Sequence, residues 1–263
     1  MTSLAAVASR GVYSNSLQTK VPNWQPDGVG RVAKIGVLTP EFDPVPESEM
    51  SAMAPAGVSI HASRVTWNRE AKTFAEPPHV DNAVKQLEGL KPRVIVYGFA
   101  SSSYANGSQA DEPLRQRLEK AAGGVPVVLP AVAAVDALRT LNARKLALIL
   151  PPWFSEQTIS YGREYFRSRG FEVVFCAGMT PSRQFTEVSP SEVYDWITTR
   201  VPTEAEAVFI GGNGLRAIGA IQAMEKKLRR PVLSANQVAF WRALQIIGLA
   251  SKVKNYGRIF SVR

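Results

Sequence analysis

The sequence predicts an α/β fold of two similar halves, each built on a parallel sheet with helices on both faces. Short, continuously apolar runs alternate with segments of helical periodicity from residue 32 onward. Continuous apolar runs are typical of strands buried on both faces, and their alternation with helices is typical of βαβ units. The alternation occurs twice along the chain, which predicts the two halves.

The first half opens with a strand that runs into a proline-rich loop, residues 39–46, where proline excludes regular structure. A stretch with three consecutive serines, residues 98–106, is predicted to be a second loop. The strands predicted in this half cover 32–38, 58–65, 94–97 and 125–129. The helices predicted in this half cover 47–53, 80–90, 114–122 and 131–141.

The second half repeats this plan. Phe42 after the first strand corresponds to Phe154, and Gly98 corresponds to Gly211 at nearly the same separation. The strands predicted in this half cover 146–150, 172–176, 208–210 and 231–233. The helices predicted in this half cover 156–169, 191–200, 218–228 and 238–249.

A glycine turn, residues 211–214, follows the apolar run 207–210, and a helical pattern follows it from Leu215. A strand, a tight turn and a helix N-terminus together direct backbone N–H groups at one point, where the helix dipole favours negative charge. We therefore expect this turn to bind a carboxylate.

Composition predicts a soluble globular protein that acts on an anionic small molecule. The chain is 45% hydrophobic and 20% charged, with a net charge of +9. No apolar run is long enough for a membrane helix. The one basic cluster, residues 226–230, is typical of a helix C-terminus rather than of a nucleic-acid site. We expect no membrane or nucleic-acid partner, and a homo-oligomer stays open.

Cys176 is the only cysteine, so the chain can form no internal disulfide, which fits a reducing cytoplasm. It lies in an apolar strand pattern, where a structural thiol is favoured over a nucleophile. Two histidines and no metal-ligand spacing predict no metal site.

Three domain boundaries are expected. Residues 1–30 are an N-terminal arm, with a transit peptide as the alternative. Residues 31–130 are the first half, with a C-terminal helix, 239–263, packing back onto it. Residues 131–238 are the second half.

Loops at the carboxyl ends of the strands are expected to meet in one cleft between the halves. They offer hydroxyl, amide and backbone donors suited to an enolate or carboxylate, beside aromatic side chains. The predicted catalytic residues are Ser101, Asp43 and Asn213. The predicted substrate-binding residues are Thr39, Pro40, Phe42, Phe99, Ala100, Ser102, Trp153, Gly212 and Gly214.

Residues 212–217 also match the dinucleotide fingerprint G-x-G-x-x-A. The match comes late in the chain, and the next strand ends at Asn236 without the acid that would hold a ribose. A nicotinamide or flavin enzyme is therefore a minor alternative, and no cofactor is predicted.

Several stretches resemble one enzyme family. They are 35–40, the strand 94–98 with its serine loop, 231–237 running into Phe240 and Trp241, and 256–260. Together they are similar to the aspartate/glutamate racemase superfamily, in the branch of maleate cis-trans isomerase and arylmalonate decarboxylase. The resemblance implies two pseudo-symmetric, Rossmann-like parallel-sheet halves with the active site between them and no cofactor.

The resemblance also implies a departure. Members use one or two cysteines at the strand ends, as proton carriers or as a nucleophile. The first cysteine position falls here on Phe99 and the second on Gly212. The threonine-serine pair after the first falls on Ala100 and Ser101, and the isomerase asparagine falls on Asp43. Neither glycine nor phenylalanine can move a proton, so chemistry through these cysteines is excluded.

The expected function is a cofactor-independent lyase or isomerase on a small carboxylic acid, with the enolate held by an anion hole. Asp43 or Glu41 is the expected acid or base if burial raises its pKa. One alternative is a hydrolase that uses Ser101 or Asp43. Another is a carboxylate-binding protein without catalysis.

Overall fold

Two four-stranded parallel sheets organise the molecule. In a computed structural model of the chain, residues 27–67, 72–180, 187–249 and 253–262 are described. The first sheet has the order β2-β1-β3-β4 and the second the order β6-β5-β7-β8. The two orders are the same pattern, so the predicted fold of two similar α/β halves is confirmed.

The segment 33–140 contains β1 to β4 and α1 to α5, the last of which follows the boundary expected at residue 130. Its strands are β1 (Ala33–Pro40), β2 (Val58–Val65), β3 (Val94–Tyr97) and β4 (Val127–Val128). Its helices are α1 (Val45–Met53), α2 (His79–Glu88), α3 (Ala100–Asn106), α4 (Asp111–Ala121) and α5 (Pro130–Thr140).

The second half contains β5 to β8 and α6 to α9. Its strands are β5 (Lys145–Leu150), β6 (Glu172–Gly178), β7 (Ala207–Ile210) and β8 (Val232–Ser234). Its helices are α6 (Glu156–Ser168), α7 (Pro190–Arg200), α8 (Ile218–Leu228) and α9 (Ala235–Ile246).

The strand order puts a switch point in the middle of each sheet. From β1 the chain moves to β2 on one side, and β3 then pairs with β1 on the other side. Strands β5, β6 and β7 repeat this arrangement. Ligands of parallel sheets bind at such switch points, outside the carboxyl ends of the strands.

The central strands are fully buried, which explains their continuous apolar sequence. All four residues of β3 and all four of β7 are buried. One hydrophobic cluster includes Val37 and Val96 from the first half together with Phe209 and Ile210 from the second. Helix α9 packs against α1, α5 and β3, on the first half.

The range predicted for helix α8, 218–228, is confirmed. Two other element predictions are wrong in detail. The serine stretch is not a loop, because Ala100–Asn106 forms α3. Helix α9 begins at Ala235, where Ser234 and Gln237 form a capping box that ends β8 and starts the helix together.

The domain boundaries at 130 and 238 stay a prediction, and most of the N-terminal arm lies outside the described residues. No helix of the described ranges has the length and apolar character needed to cross a bilayer.

Candidate active site

A small cavity lies between the two halves, at the carboxyl ends of β1, β3, β5 and β7. Its volume is about 160 Å³. Drug-sized ligands occupy pockets of roughly 300 Å³ or more, so this cavity suits a smaller molecule. It is lined by Pro40, Phe42, Asp43, Phe74, Gly98, Phe99, Ala100, Ser101, Pro151, Trp153, Phe154, Gly212, Asn213 and Gly214.

The strand-end segments of the two halves touch each other beside this cavity. The Ala100 N–H donates to Oδ1 of Asn213 over 2.9 Å. The Tyr104 hydroxyl donates to the Gly211 carbonyl oxygen over 3.0 Å. The expected convergence of these segments is therefore present in the structure.

Asp43 is the one ionisable side chain among the described residues that line the cavity. It is 2% exposed, and its Oδ1 accepts the Val45 N–H over 2.9 Å. Burial raises the pKa of Asp43, while the Val45 N–H and the Arg64 charge lower it by smaller amounts. Glu41 on the same loop is exposed and does not line the cavity.

The predicted hydroxyl donors separate into two groups. Ser101 lines the cavity. Ser102 is buried away from the cavity, and its Oγ accepts the Tyr97 hydroxyl over 2.8 Å. Thr39 is also buried; its hydroxyl donates to the Asp43 carbonyl oxygen over 2.9 Å, which holds the loop that carries Asp43.

The glycine turn offers its own backbone donors. Within the described residues, the N–H groups of Gly212, Asn213 and Gly214 make no hydrogen bond. The side chain of Asn213 is engaged at both ends, because Oδ1 accepts the Ala100 N–H and Nδ2 donates to Asn236. Asn213 therefore presents its backbone, and not its amide oxygen, to a ligand.

The helix after the turn is already capped by a carboxylate of the protein. Oε1 of Glu49 accepts the N–H groups of Ala217 over 2.7 Å and of Ile218 over 3.0 Å. The dipole of α8 therefore acts on Glu49. The start of α8 is therefore occupied by Glu49, and the N–H groups left for the predicted carboxylate site are those of the turn. Binding at this turn stays a prediction.

Sequence reasoning missed Glu49, Asn236 and Phe74. Oε2 of Glu49 accepts from Nδ2 of Asn236 over 2.8 Å. Burial raises the pKa of Glu49 to about 7, against hydrogen bonds from Asn236 and the two backbone N–H groups. No local pattern marks these roles, since the partners are far apart in the sequence.

Aromatic side chains form one wall of the cavity. Phe74 stacks on Phe99 with ring centroids 4.5 Å apart, and Tyr97 lies against the same ring at 4.8 Å. Phe42 and Phe154, which correspond in the repeat, both line the cavity, and Trp153 lies beside them. Within the described ranges, no cluster of histidine, cysteine or acidic side chains could hold a metal ion.

A family model, described as arylmalonate decarboxylase, matches residues 76–260, well over half of the chain. The chain belongs to this family of enzymes. The resemblance predicted from the sequence is therefore confirmed.

Named relatives match most of this chain, and the solved ones have a similar fold. A maleate isomerase from Geobacillus stearothermophilus is 24% identical, over 87% of this chain and 97% of the relative. A maleate isomerase from Pseudomonas putida S16, solved with maleate, has a TM-score of 0.78 at 21% identity, over 88% and 98% of the two chains. A Nocardia farcinica maleate cis-trans isomerase carrying a covalently bound succinylcysteine has a TM-score of 0.74 at 20% identity, over 87% and 98%.

This member of the family has no thiol at its cavity. Cys176 is half-buried on β6, where burial raises its pKa, and it does not line the cavity. A Cβ atom added at Gly212 would lie 2.1 Å from Cγ of Pro151. Pro151 therefore occupies the space that a side chain at this position would need.

Proposed function

We propose that this protein is a cofactor-independent lyase or isomerase that acts on a small carboxylic acid through a stabilised enolate. Asp43 is proposed as the proton carrier in place of the family's thiol. This proposal is supported by the presence at one cavity of Asp43 and of the glycine-turn N–H groups, which have no hydrogen-bond partner within the described residues.

The proposed anion hole consists of the N–H groups of Gly212, Asn213 and Gly214 together with the Ser101 hydroxyl. Donors that are fixed before the reaction stabilise developing negative charge more strongly in a cavity with apolar walls than in water. Phe42, Phe99 and Trp153 are proposed to contact the substrate side chain, with Pro40 and Ala100 completing the wall.

Decarboxylation of a malonate is the reaction that fits these groups best. Breaking the bond to one carboxylate releases CO2 and leaves its electron pair as an enediolate in the anion hole. The neutral carboxyl of Asp43 then gives its proton to the α-carbon and becomes a carboxylate. Asp43 regains a proton from water, which completes the cycle. Burial favours the protonated form of Asp43 that this step requires.

The relatives' chemistry cannot be carried over without change. The Nocardia farcinica isomerase holds a succinyl group on a cysteine. In this chain, Phe99 and Gly212 stand at the family's cysteine positions, so an adduct of that kind is not part of the proposal. Hydrolysis through Ser101 is less favoured, since no basic side chain of the described residues is hydrogen-bonded to Ser101 and the family supports the lyase and isomerase class.

The substrate class and the cellular location also belong to the proposal. Excess positive charge and a small cavity support a small carboxylate as substrate. A cytoplasmic location is proposed from the single cysteine. A homo-oligomer and the absence of a cofactor stay predictions.

A substrate panel tests the proposal. Purified protein is incubated in D2O with phenylmalonate, methylmalonate, maleate and aspartate, and NMR follows CO2 loss, isomerisation and deuterium uptake. We expect turnover of at least one malonate with deuterium at the new C–H bond. Tight binding of the acids without any turnover would instead support a non-catalytic carboxylate-binding protein.

Replacing Asp43 by Asn tests its role. We expect kcat to fall by roughly 10²- to 10⁴-fold, the usual contribution of a general acid, while substrate binding changes little. Glu41→Gln is the matched control, because Glu41 is an exposed acid on the same loop outside the cavity. Equal activity of Asp43→Asn and wild type would remove Asp43 from the mechanism.

A further inference from the structure

Glu49 is a buried carboxylate that the proposed chemistry does not use. It lies on α1 of the first half and is 7% exposed. Its hydrogen bonds to described residues all go to the second half, to the N–H groups at the start of α8 and to Asn236 at the start of α9. It therefore joins the two halves directly behind the glycine turn.

Asn236 extends this contact to the turn itself. Its Nδ2 donates both to Oε2 of Glu49 and, over 2.7 Å, to the carbonyl oxygen of Asn213. Its Oδ1 accepts from Nδ2 of Asn213 over 2.8 Å. Oδ1 of Asn213 then accepts the Ala100 N–H.

The two ends of this series of hydrogen bonds, Glu49 and the Ala100 N–H, fix the orientation of both asparagine amides. An ionised carboxylate only accepts hydrogen bonds, and a backbone N–H only donates. With Glu49 accepting at one end and Ala100 donating at the other, each asparagine has a single orientation that satisfies every member. Reversing either amide places two donors or two acceptors against each other.

We infer that Glu49 is a positioning residue whose carboxylate, acting through Asn236, holds the Asn213 amide toward Ala100 and thereby sets the geometry of the glycine turn. The Ala100 N–H is consumed by this bond. The turn is left with the N–H groups of residues 212–214 for a ligand. The inference rests on the proposed function only in treating this turn as the anion site.

The variant Glu49→Gln tests the inference at constant side-chain shape. The new amide can still accept the Ala217 and Ile218 N–H groups, but its NH2 then faces Nδ2 of Asn236. Relief of that contact requires Asn236 and then Asn213 to turn, which removes the acceptor of the Ala100 N–H. At pH 8 we expect the Ala100 amide resonance to move upfield and its hydrogen exchange to accelerate about tenfold, as loss of one hydrogen bond predicts.

Glu225→Gln is the matched control. Glu225 is also a buried carboxylate that accepts backbone N–H groups, from Val232 and Arg258. It has no hydrogen bond to Asn236, Asn213 or Ala100. We expect Glu225→Gln to lower the free energy of unfolding without moving the Ala100 amide resonance. An equal Ala100 response in both variants would reduce Glu49 to a general structural role and overturn the inference.

A second variant, Asn236→Ala, keeps the Glu49 carboxylate and the cap of α8 but removes the hydrogen bonds that connect Glu49 to Asn213. It must reproduce the Ala100 response of Glu49→Gln, which protects the test if that variant folds poorly. An unchanged Ala100 amide in either folded variant would contradict the inference. These measurements use the ligand-free protein, so their outcome does not depend on the proposed function. The proposed function fails separately if wild type neither binds nor converts any malonate.

A malonate titration adds the functional consequence. We expect both variants to bind malonate about tenfold more weakly than wild type, with Glu225→Gln unchanged. If wild type binds malonate and both variants bind it equally well, Glu49 does not affect the anion site.

Discussion

At the scale of single residues, Asp43 and Glu49 show how position separates two acids on one stretch of chain. Asp43 lines the cavity, and its Oδ2 makes no hydrogen bond to the described residues. Both oxygens of Glu49 are occupied by donors of the other half. The first arrangement suits proton transfer to a ligand, whereas the second suits fixation of the turn.

Glu49 should give the protein a characteristic pH dependence. Burial raises its pKa from 4.5 to about 7, so the folded protein binds more protons than the unfolded chain between these values. Its contribution to the free energy of unfolding is therefore full below pH 4.5 and is lost as the pH rises to about 7, by at most about 1.4 kcal/mol per pH unit.

Denaturant unfolding of wild type and Glu49→Gln from pH 4 to 9 measures this term. Asp43 is present in both proteins, so the difference between them reports Glu49 together with its coupling to the Asp43 charge. We expect wild type to lose stability relative to the variant between pH 4.5 and 7, and the difference to level off above. A constant difference across the range would show that the pKa of Glu49 is not raised.

At the scale of elements, the close approach of β7's end to Pro151 explains why Gly212 carries no side chain. We expect Gly212→Ala to lower the free energy of unfolding by about 1–3 kcal/mol, as for overpacked sites, because its Cβ would collide with the Pro151 ring.

Gly219→Ala is the comparison. Gly219 lies in α8, and a Cβ there would meet nothing within 4 Å. This variant should be neutral or more stable by up to about 1 kcal/mol, since alanine favours helix. Thermal unfolding measures the stability of both variants. Equal stabilities would mean that the Pro151 ring moves aside at little cost in free energy.

Most elements could be predicted from the sequence because buried parallel strands and amphipathic helices have strong periodic patterns. Helix α3 could not. Its three serines favour turns locally, and its first N–H is satisfied by Asn213, 113 residues away. Its Tyr104 hydroxyl bonds Gly211 at a separation of 107 residues. Tertiary contacts of this kind override local preference.

The cavity-lining loops were predictable for a different reason, since strand ends of a parallel sheet meet at one edge. Ser102 on α3 and Thr39 at the end of β1 lie beside the cavity-lining residues, but their side chains turn into the protein, and the sequence carries no signal for that direction. Glu49 and Asn236 were missed because their contact joins residues 187 positions apart.

At the scale of the whole molecule, one hydrophobic cluster joins the two halves. It contains residues of both sheets, whereas a second cluster lies within the first half, and the hydrogen bonds through Glu49 add a polar connection. We expect calorimetry to show one cooperative unfolding transition with matching calorimetric and van't Hoff enthalpies. Two resolved transitions would show that the halves are independent units.

We propose that strand-end segments of both halves form one site for an organic anion. A crystal structure with bound malonate would test this proposal. We expect a carboxylate within hydrogen-bond distance of the N–H groups of Gly212 to Gly214 and of Ser101, with Asp43 near the α-carbon. Malonate ordered at another site, with this cavity empty, would contradict it.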